Sequence, residues 1–542
     1  MASSASGSDS KQSAESSQSA DSKQSIETAV FRTPWYAFAT PAIGRAVRTL
    51  SRLTHHGGSA LPGRVVERID PGFLSRTLSR LPYGVVLVSG TNGKTTTTRM
   101  VASMLSELGF RVFTNPTGSN FTRGVVSALL TQVHGVNGLD ADIAVLELDE
   151  AYAVHFVRQI RPRYALLLNV MRDQLDRFGE IDNTARLLGH VAAATTGTVV
   201  LNREDPRISA LATLAPKNTC VRYFGLSDDL KSAFPSDDDM ATTVAVESEP
   251  QPAEQPKEPQ PVPAIPSEPS HAPLVSAAHP PLQADVALTR VGDHEADFLM
   301  DGRNLTTKVR LEGVYNLYNA AAALAVVRAV QRDAIDYGFI RYTICGGNGE
   351  QAAPDPRDRH FAGLKSAVRT NTSLAKRIQQ FGESKPGDLI AAVSQVTPAF
   401  GRGEVIDVDG SPVELLLVKN PMGFRLSLAS FDPADADTMI VINDEYADGR
   451  DMSWLWDVDF TSLRETGVAM VSGVRAWDMA LRLGYDQVAA PRVEPDIDAA
   501  LNAFVAANPG ATKHIYCTYT AMLHVRAALA KIAHVADVGV GR

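Results

Sequence analysis

One segment, Val85–Leu105, constrains the fold of this chain more than any other part of its 542 residues. It begins with VVLVS, an apolar and β-branched run that favours a strand buried on both faces. The run GTNGK follows, and TTTTRMVASML after it has the composition of a helix. A buried strand, a glycine-containing loop and a helix in this order predict a phosphate-binding loop in a parallel α/β sheet.

The loop contains the residue types that phosphate binding requires. Glycines let backbone N–H groups approach phosphate oxygens, and the helix N-terminus adds positive potential. Lys94 is placed to contact the β- and γ-phosphates, and the Thr95 hydroxyl to bind Mg²⁺. The standard signature has a glycine where this chain has Val88, so the loop is a shortened one. The predicted nucleotide-binding residues are Gly90, Thr91, Asn92, Gly93, Lys94, Thr95 and Thr96.

Carboxylates follow a second buried strand in the run AVLELDEA, Ala144–Ala151. Hard oxygen ligands at the carboxyl end of a strand suit Mg²⁺ beside a triphosphate. Glu147 is the leading candidate for a metal ligand. Asp149 and Glu150 are candidates either for the site or for capping the next helix.

Changes in composition divide the chain into units. Short apolar runs alternate with helical stretches after residue 84 and again after residue 387, which predicts two α/β units. Acidic, proline-rich sequence interrupts the first unit, and polar sequence separates the two. We predict a disordered tail (1–30), an N-terminal helical segment (31–83), a central α/β domain (84–330) with a disordered insertion (about 227–283), a polar insertion (331–386) and a Rossmann-like C-terminal α/β domain (387–542).

Charge and cysteine content exclude several classes of function. The net charge of −9 and the lack of a basic run argue against nucleic-acid binding, whose affinity depends on neutralising phosphates. The three cysteines, Cys220, Cys345 and Cys517, are far apart and form no CxxC pair. This spacing predicts neither a disulfide framework nor a zinc ribbon, and it fits a reducing cytoplasm.

The sequence predicts no membrane-spanning helix. No apolar run approaches the roughly 18 residues that cross a bilayer, and the N-terminus lacks the apolar region of a secretory signal. From Phe31 to Leu53, basic residues alternate with apolar ones in a helical pattern. Such a helix either lies on a membrane surface or packs against the protein, and the pattern leaves both open.

The run GTNGKTTT resembles the phosphate loop of the Mur ligases and the folylpolyglutamate synthases. These enzymes phosphorylate a carboxylate with ATP, and a nitrogen nucleophile then attacks the acyl phosphate. The resemblance implies ATP and Mg²⁺ as cofactors, with Lys94 and Glu147 catalytic and with Thr95 and Glu147 as metal ligands. Many Mur ligases have a histidine metal ligand where this chain has Gln174, so we assign no metal role to that position.

Two further runs resemble nucleotide-binding elements of the same family. In GVYNLYNAA, Asn316 and Asn319 are three residues apart on one helical face, and the resemblance puts both beside the adenine. Tyr315 stands where the family usually has a histidine. In PAFGRGE, the resemblance makes Arg402 a loop arginine that reaches the ATP phosphates from the C-terminal domain, which suits a guanidinium.

The C-terminal half resembles the MurT family in the runs KNPMGF, NDEYADGRDMSW, SGVRA and TYTAML. MurT proteins are the Mur-ligase-like subunits of lipid II isoglutaminyl synthase. The resemblance implies that ATP phosphorylates the α-carboxylate of D-glutamate in the lipid II stem peptide and that ammonia converts it to D-isoglutamine. It also implies a cytoplasmic location near the inner face of the plasma membrane, where this substrate lies.

In the MurT family the ammonia comes from a partner glutaminase of the GatD type, whose catalytic triad an aspartate of MurT is thought to complete. The run ADGRD supplies two candidates, Asp448 and Asp451, and the sequence does not choose between them. Either is also a plausible turn residue beside Gly449. MurT proteins often carry a four-cysteine zinc ribbon, but after Cys220 this chain has the acidic, proline-rich stretch instead, so we expect no zinc.

Two other functions remain open from the sequence. One is a Mur-type or folylpolyglutamate-type ligase that adds an amino acid to its acceptor. The other is a non-catalytic scaffold that holds the glutaminase. Retention of Lys94, Thr95 and Glu147 argues against the scaffold, because a scaffold does not need these side chains.

Overall fold

The computed structural model describes residues 33–53, 60–115, 121–133, 138–171, 181–233, 282–292, 295–309, 314–336, 372–396, 402–434, 436–445 and 447–535. Two α/β units follow each other within these ranges, as the sequence predicts. The predicted disordered tail (1–30) and most of the acidic insertion lie outside the described residues.

The first unit is built on a nine-stranded sheet with the order β2-β3-β1-β4-β5-β6-β7-β8-β9. The strands are β1 (Val85–Ser89), β2 (Val112–Thr114), β3 (Ile143–Glu147), β4 (Tyr164–Leu167), β5 (Thr198–Asn202), β6 (Cys220–Leu226), β7 (Val286–Gly292), β8 (Glu295–Met300) and β9 (Arg303–Lys308). Pairing is parallel from β2 to β7 and antiparallel from β7 to β9. Because β1 lies between β3 and β4, the residues that follow these three strands meet at one edge of the sheet.

Helices cover both faces of this sheet. They are α1 (Thr40–Leu53), α2 (Ala60–Ile69), α3 (Phe73–Leu78), α4 (Lys94–Glu107), α5 (Thr122–Gln132), α6 (Glu150–Val157), α7 (Ile181–Ala194), α8 (Pro206–Ala210), α9 (Val314–Asp336), α10 (Thr372–Glu383) and α11 (Pro386–Val393). Along β1, Val86 and Val88 pack in the core beneath α4 and α9, whereas Val85 and Leu87 pack in the opposite core. This alternation explains why β1 is apolar at every position.

Helices α10 and α11 differ from the sequence prediction of a polar insertion over 331–386. Leu374, Ile378 and Phe381 of α10 are buried in the same core as α4 and α9, and α11 contributes Leu389 to it. The apolar positions of α10 recur at helical spacing on one side only, so the segment looks polar when composition alone is considered. These two helices therefore belong to the first unit, which ends before the strand that begins at residue 402. The predictions of a polar insertion up to 386 and of a C-terminal domain beginning at 387 are wrong at these helices. Residues 337–371 lie outside the described residues.

The second unit has a six-stranded sheet with the order β10-β11-β15-β12-β13-β14. Its strands are β10 (Arg402–Val408), β11 (Ser411–Leu417), β12 (Ala436–Val441), β13 (Met470–Ser472), β14 (Val493–Glu494) and β15 (Thr512–Cys517). Its helices are α12 (Pro421–Ser430), α13 (Ala476–Tyr485), α14 (Ile497–Ala506) and α15 (Tyr519–Leu529). All pairs are parallel except β10 with β11, so this unit is the predicted Rossmann-like α/β domain.

Among the described residues, no helix is both long enough and apolar enough to cross a bilayer.

We predict that Arg377→Ala destabilises the first unit by about 3 kcal/mol, because it leaves a buried carboxylate without its cation. Arg377 binds Asp142 through Nε at 2.9 Å and through the second terminal nitrogen at 2.6 Å, and the Asp142 side chain is only 5% exposed. Urea unfolding measures the change. Lys376→Ala, at the exposed neighbouring position of α10, is the matched control and is expected to stay within ~0.5 kcal/mol of wild type. Equal stability of the two variants would contradict the packing of α10 into this unit.

Candidate active site

The phosphate loop adopts a backbone that only glycine tolerates at two positions. Gly90 has φ +133° and Gly93 has φ +84°, both in the region that side chains disfavour. A Cβ on Gly93 would also lie 2.4 Å from Oδ1 of Asn319. The loop therefore passes close to α9 and then enters α4, whose first-turn N–H groups point toward the site.

Asn169, just after β4, fixes the loop from one side. Its Oδ1 accepts a hydrogen bond from Asn92 N at 2.8 Å, and its Nδ2 donates to Asn92 O at 3.1 Å. Nδ2 also donates to the Tyr315 hydroxyl at 2.8 Å, and the backbone O of Asn169 accepts from Thr91 N at 2.9 Å. One side chain thus ties the loop to the sheet and to the first turn of α9.

The second unit holds the loop from the other side. The side-chain amides of Asn92 and Asn420 form a reciprocal pair, with Asn92 Nδ2 3.1 Å from Asn420 Oδ1 and Asn420 Nδ2 2.9 Å from Asn92 Oδ1. Lys419 Nζ donates to Thr91 O at 3.0 Å. Asn420 also caps α12, because its Oδ1 accepts from Gly423 N at 2.8 Å. The helix cap and the contact between the two units therefore share one side chain.

Lys94 is buried and lies between two carboxylates. Its Nζ is 3.3 Å from Oε2 of Glu150 and 3.5 Å from Oδ1 of Asp149. Burial raises the pKa of Glu150 to about 7; the Lys94 ammonium opposes this rise, and Asp149 adds to it. The carboxylates neutralise a buried ammonium that a triphosphate would otherwise neutralise. Glu150 and Asp149 are thus part of the site as well as the start of α6.

Thr95 and Glu147 meet at the end of β3. The Thr95 hydroxyl donates to Oε1 of Glu147 at 2.8 Å, and the Glu147 backbone exchanges two hydrogen bonds with the Asn115 side chain, at 2.9 and 3.0 Å. A hydroxyl and a carboxylate are hard oxygen donors, so the chemistry of this pair would suit Mg²⁺. Among the described residues, no group of three or more His, Cys, Asp or Glu side chains could hold a metal by itself.

A pocket opens between the two units beside the phosphate loop. Asn316 and Asn319 of α9 lie on one side of it, and β11 and α12 lie on the other. Its lining combines amide and ammonium groups with aliphatic and aromatic carbon: Asn92, Gly93, Tyr315, Asn316, Asn319, Leu416, Leu417, Lys419, Gly423, Leu426, Ser427, Ser430 and Phe431. An apolar slot with a few polar groups next to a phosphate loop suits a nucleoside base.

The two candidate aspartates of the second unit occupy different environments. Asp448 is 3% exposed; it accepts from Thr520 N at 2.7 Å, from Glu445 N at 3.1 Å and from the Thr520 hydroxyl. Burial raises the pKa of Asp448, and the hydrogen bonds from Thr520 and Glu445 oppose the rise. Asp451 is half-buried and accepts from Ser453 N at 2.9 Å. Asp448 therefore fastens its loop to α15, whereas Asp451 is the more accessible carboxylate.

The structure brings most of the predicted residues together at one edge of the first sheet. Arg402 differs from the prediction of a loop arginine, because its backbone begins β10 and pairs with Leu416; its side chain lies outside the description. Gln174 and Cys345 lie outside the described residues.

The sequence patterns did not predict Asn115 or Asn169 as site residues. They also did not predict that Lys419 and Asn420 contact the phosphate loop. Asn169 directly follows an apolar strand in a parallel sheet, which is a usable signal for a site residue. Asn420 precedes Pro421, the pattern of a helix cap, but that pattern gives no indication of a partner 328 residues away.

Comparison with known proteins identifies relatives of both units. Residues 88–251 match the family described as Mur ligase middle domain, and residues 417–522 match MurT ligase C-terminal. A Streptococcus pneumoniae protein named "Lipid II isoglutaminyl synthase (glutamine-hydrolyzing) subunit MurT" is 28% identical over 518 residues, which cover 89% of this chain and 94% of the relative. A protein of the same name from Staphylococcus aureus is 26% identical, with 84% and 89% covered. Over most of its length the chain is similar to MurT proteins.

Solved structures of Mur ligases share the fold of this chain. MurF from Acinetobacter baumannii has a TM-score of 0.53 at 15% identity, with 88% of this chain and 79% of that chain covered. MurF from Thermotoga maritima in complex with ADP has a TM-score of 0.52 at 15% identity, with 85% and 82% covered. Likeness at this identity shows the fold alone. The named relatives and the two family matches, rather than this likeness, indicate that the chain is a ligase.

We predict that Glu150→Gln flattens the dependence of the melting temperature on pH. The pKa of Glu150 is raised from 4.5 to about 7, so its contribution to stability is present at low pH and is lost as the pH rises through that range. Calorimetry without nucleotide between about pH 5 and pH 8 measures the slope. Glu107→Gln, at the exposed end of α4, is expected to keep the wild-type slope. An unchanged slope for Glu150→Gln would contradict the buried position of this carboxyl group.

Proposed function

We propose that this chain is the ligase subunit of a two-subunit enzyme that amidates the α-carboxylate of D-glutamate in the lipid II stem peptide. The observation that carries the proposal is the contact of a MurT-type second unit with the phosphate loop through Asn420 and Lys419. It joins a nucleotide-binding loop to the domain that distinguishes MurT proteins from other Mur ligases. The names of the streptococcal and staphylococcal relatives support the substrate and the reaction.

The chemistry proceeds in two steps. A carboxylate oxygen attacks the γ-phosphorus of ATP, ADP leaves, and the carboxylate becomes an acyl phosphate. Ammonia then attacks the carbonyl carbon, phosphate leaves with one of the original carboxylate oxygens, and the nitrogen loses a proton. The phosphate is needed because an ionised carboxylate is a poor electrophile and has no good leaving group.

Residues of this chain hold the nucleotide for the first step. Lys94 moves from its two carboxylates to the β- and γ-phosphates, where its charge stabilises the transferring group. Thr95 and Glu147 hold Mg²⁺, which neutralises phosphate charge when it is bound. The adenine occupies the pocket beside Asn316 and Asn319.

Ammonia for the second step comes from a GatD-type glutaminase. The relatives are named as subunits of a glutamine-hydrolysing enzyme, which implies a second chain. Asp451 is the residue of this chain that orients the histidine of the partner, because Asp448 already uses both carboxylate oxygens inside its own unit. The complex works at the inner face of the plasma membrane, where its lipid-linked substrate lies.

Lys94→Ala is expected to lower amidation of lipid II with ATP and ammonium by about 100-fold or more, because it removes the charge beside the transferring phosphate. Mass spectrometry of lipid II measures the product. Lys217→Ala, at an exposed position of the first unit, is expected to retain full activity. Full activity of Lys94→Ala would rule out phosphoryl transfer at this loop. Consumption of ATP with free amino acids in place of ammonium would favour an amino acid ligase.

Asp451→Asn is expected to abolish amidation driven by glutamine while leaving amidation driven by ammonium unchanged. The carboxamide keeps an oxygen for Ser453 N but cannot stabilise a charged histidine in the partner. Asp448→Asn is the matched comparison. It replaces one accepting oxygen with an NH₂ group that faces the hydrogen-bond donors of Thr520 or Glu445, so it is expected to lower the free energy of unfolding by about 1–2 kcal/mol. Full glutamine-driven activity of Asp451→Asn would contradict its assigned role.

A further inference from the structure

Helix α13 has a second apolar face that the fold does not use. Its inner face contributes Ala476, Met479 and Leu483 to the core of the second unit. On the outer side, Val474, Trp477, Leu481 and Tyr485 are 66%, 67%, 57% and 70% exposed. Trp477, Leu481 and Tyr485 are four residues apart on one side of the helix, and Val474 precedes the helix by two residues. We refer to these four residues as the α13 stripe.

Trp456 extends the α13 stripe toward the loop that carries Asp451. It is 51% exposed, and its ring meets the ring of Tyr485 edge-on at a centroid distance of 5.1 Å. Trp456 belongs to the 3-10 helix Ser453–Asp457, which begins two residues after Asp451. The loop that carries Asp451 therefore continues directly into a segment that contacts the α13 stripe.

Arg482 fixes the two parts of this surface relative to each other. It is 7% exposed and donates to Leu455 O at 3.2 Å and to Val458 O at 2.5 Å. It also pairs with Asp486 at 2.7 Å, and its guanidinium lies 5.5 Å from the centroid of the Trp456 ring. The surface is thus held in shape before any partner binds, which lowers the entropic cost of association.

We propose that the α13 stripe and Trp456 form the docking surface for the glutaminase subunit. This inference rests on the proposed function, in which Asp451 must reach the active site of that subunit. A partner seated over Asp451 covers the adjoining surface, and exposed tryptophan and tyrosine are the residues that dominate binding at such interfaces. An anionic membrane is a poorer occupant, because Arg475 is already paired with Asp444 at 2.9 Å and Asp478 at 3.0 Å.

The test compares Trp477→Arg and Leu481→Arg with Leu214→Arg, which changes an equally exposed leucine of the first unit (50% exposed). Each variant of the full chain is co-expressed with the GatD-type glutaminase of the same genome. Complex formation is measured by size-exclusion chromatography with light scattering and by calorimetric titration. Amidation of lipid II is measured with glutamine and, separately, with ammonium.

Both stripe variants are expected to bind the glutaminase about 30-fold more weakly or worse, as for hot-spot residues. They are expected to lose glutamine-driven amidation and keep ammonium-driven amidation and the wild-type melting temperature, whereas Leu214→Arg behaves as wild type. If both stripe variants bind the glutaminase as tightly as wild type, the inference is overturned. It is also overturned if the variants lose association between copies of this chain but keep their binding of the glutaminase. Failure of the wild-type chain with ammonium would instead overturn the proposed function and leave the docking result to stand by itself. Should an arginine variant unfold, Trp477→Ala with Leu481→Ala takes its place.

Discussion

The buried amides of Asn169, Asn92 and Asn420 hold the phosphate loop between two domains. Asn92 uses its backbone to pair with Asn169 of the first unit and its side chain to pair with Asn420 of the second. Leaving one of these groups unpaired in the interior costs about 1–3 kcal/mol, so the hydrogen bonds favour this position of the second unit over the loop. The nucleotide pocket exists only in that position, because β11 and α12 form one of its walls.

The electrostatics of the site follow from the same geometry. The edge where β1, β3 and β4 end brings Lys94, at the start of α4, beside Asp149 and Glu150, which follow β3. Without nucleotide, the lysine is neutralised by two carboxylates at 3.3 and 3.5 Å, and burial raises the pKa of Glu150 to about 7. A triphosphate that displaces these contacts gains a lysine that is already positioned, and Glu150 then loses the ammonium that lowers its pKa.

Local sequence patterns predicted the parts of the structure that depend on local physics. The strand, loop and helix around Lys94, the strand that ends at Glu147 and the second α/β domain all follow from short-range periodicity and turn chemistry. The pairing of Asn92 with Asn420 does not, because it joins residues 328 positions apart. Helix α10 was not predicted for another reason. Its apolar face is narrow and most of its residues are polar, so its composition is typical of a polar insertion. Asp448 and Asp451 look alike beside Gly449, and only their burial separates them.

The formation of an acyl phosphate is tested most directly by following the oxygen atoms of the substrate. Lipid II whose D-glutamate α-carboxylate carries a heavy oxygen isotope is incubated with the complex, ATP and glutamine, and the released phosphate is analysed by mass spectrometry. If this chain activates the carboxylate as proposed, each phosphate released with an amidated product contains one labelled oxygen, and Lys94→Ala releases labelled phosphate about 100-fold more slowly or worse. Amidated product accompanied by unlabelled phosphate would contradict carboxylate activation by this chain.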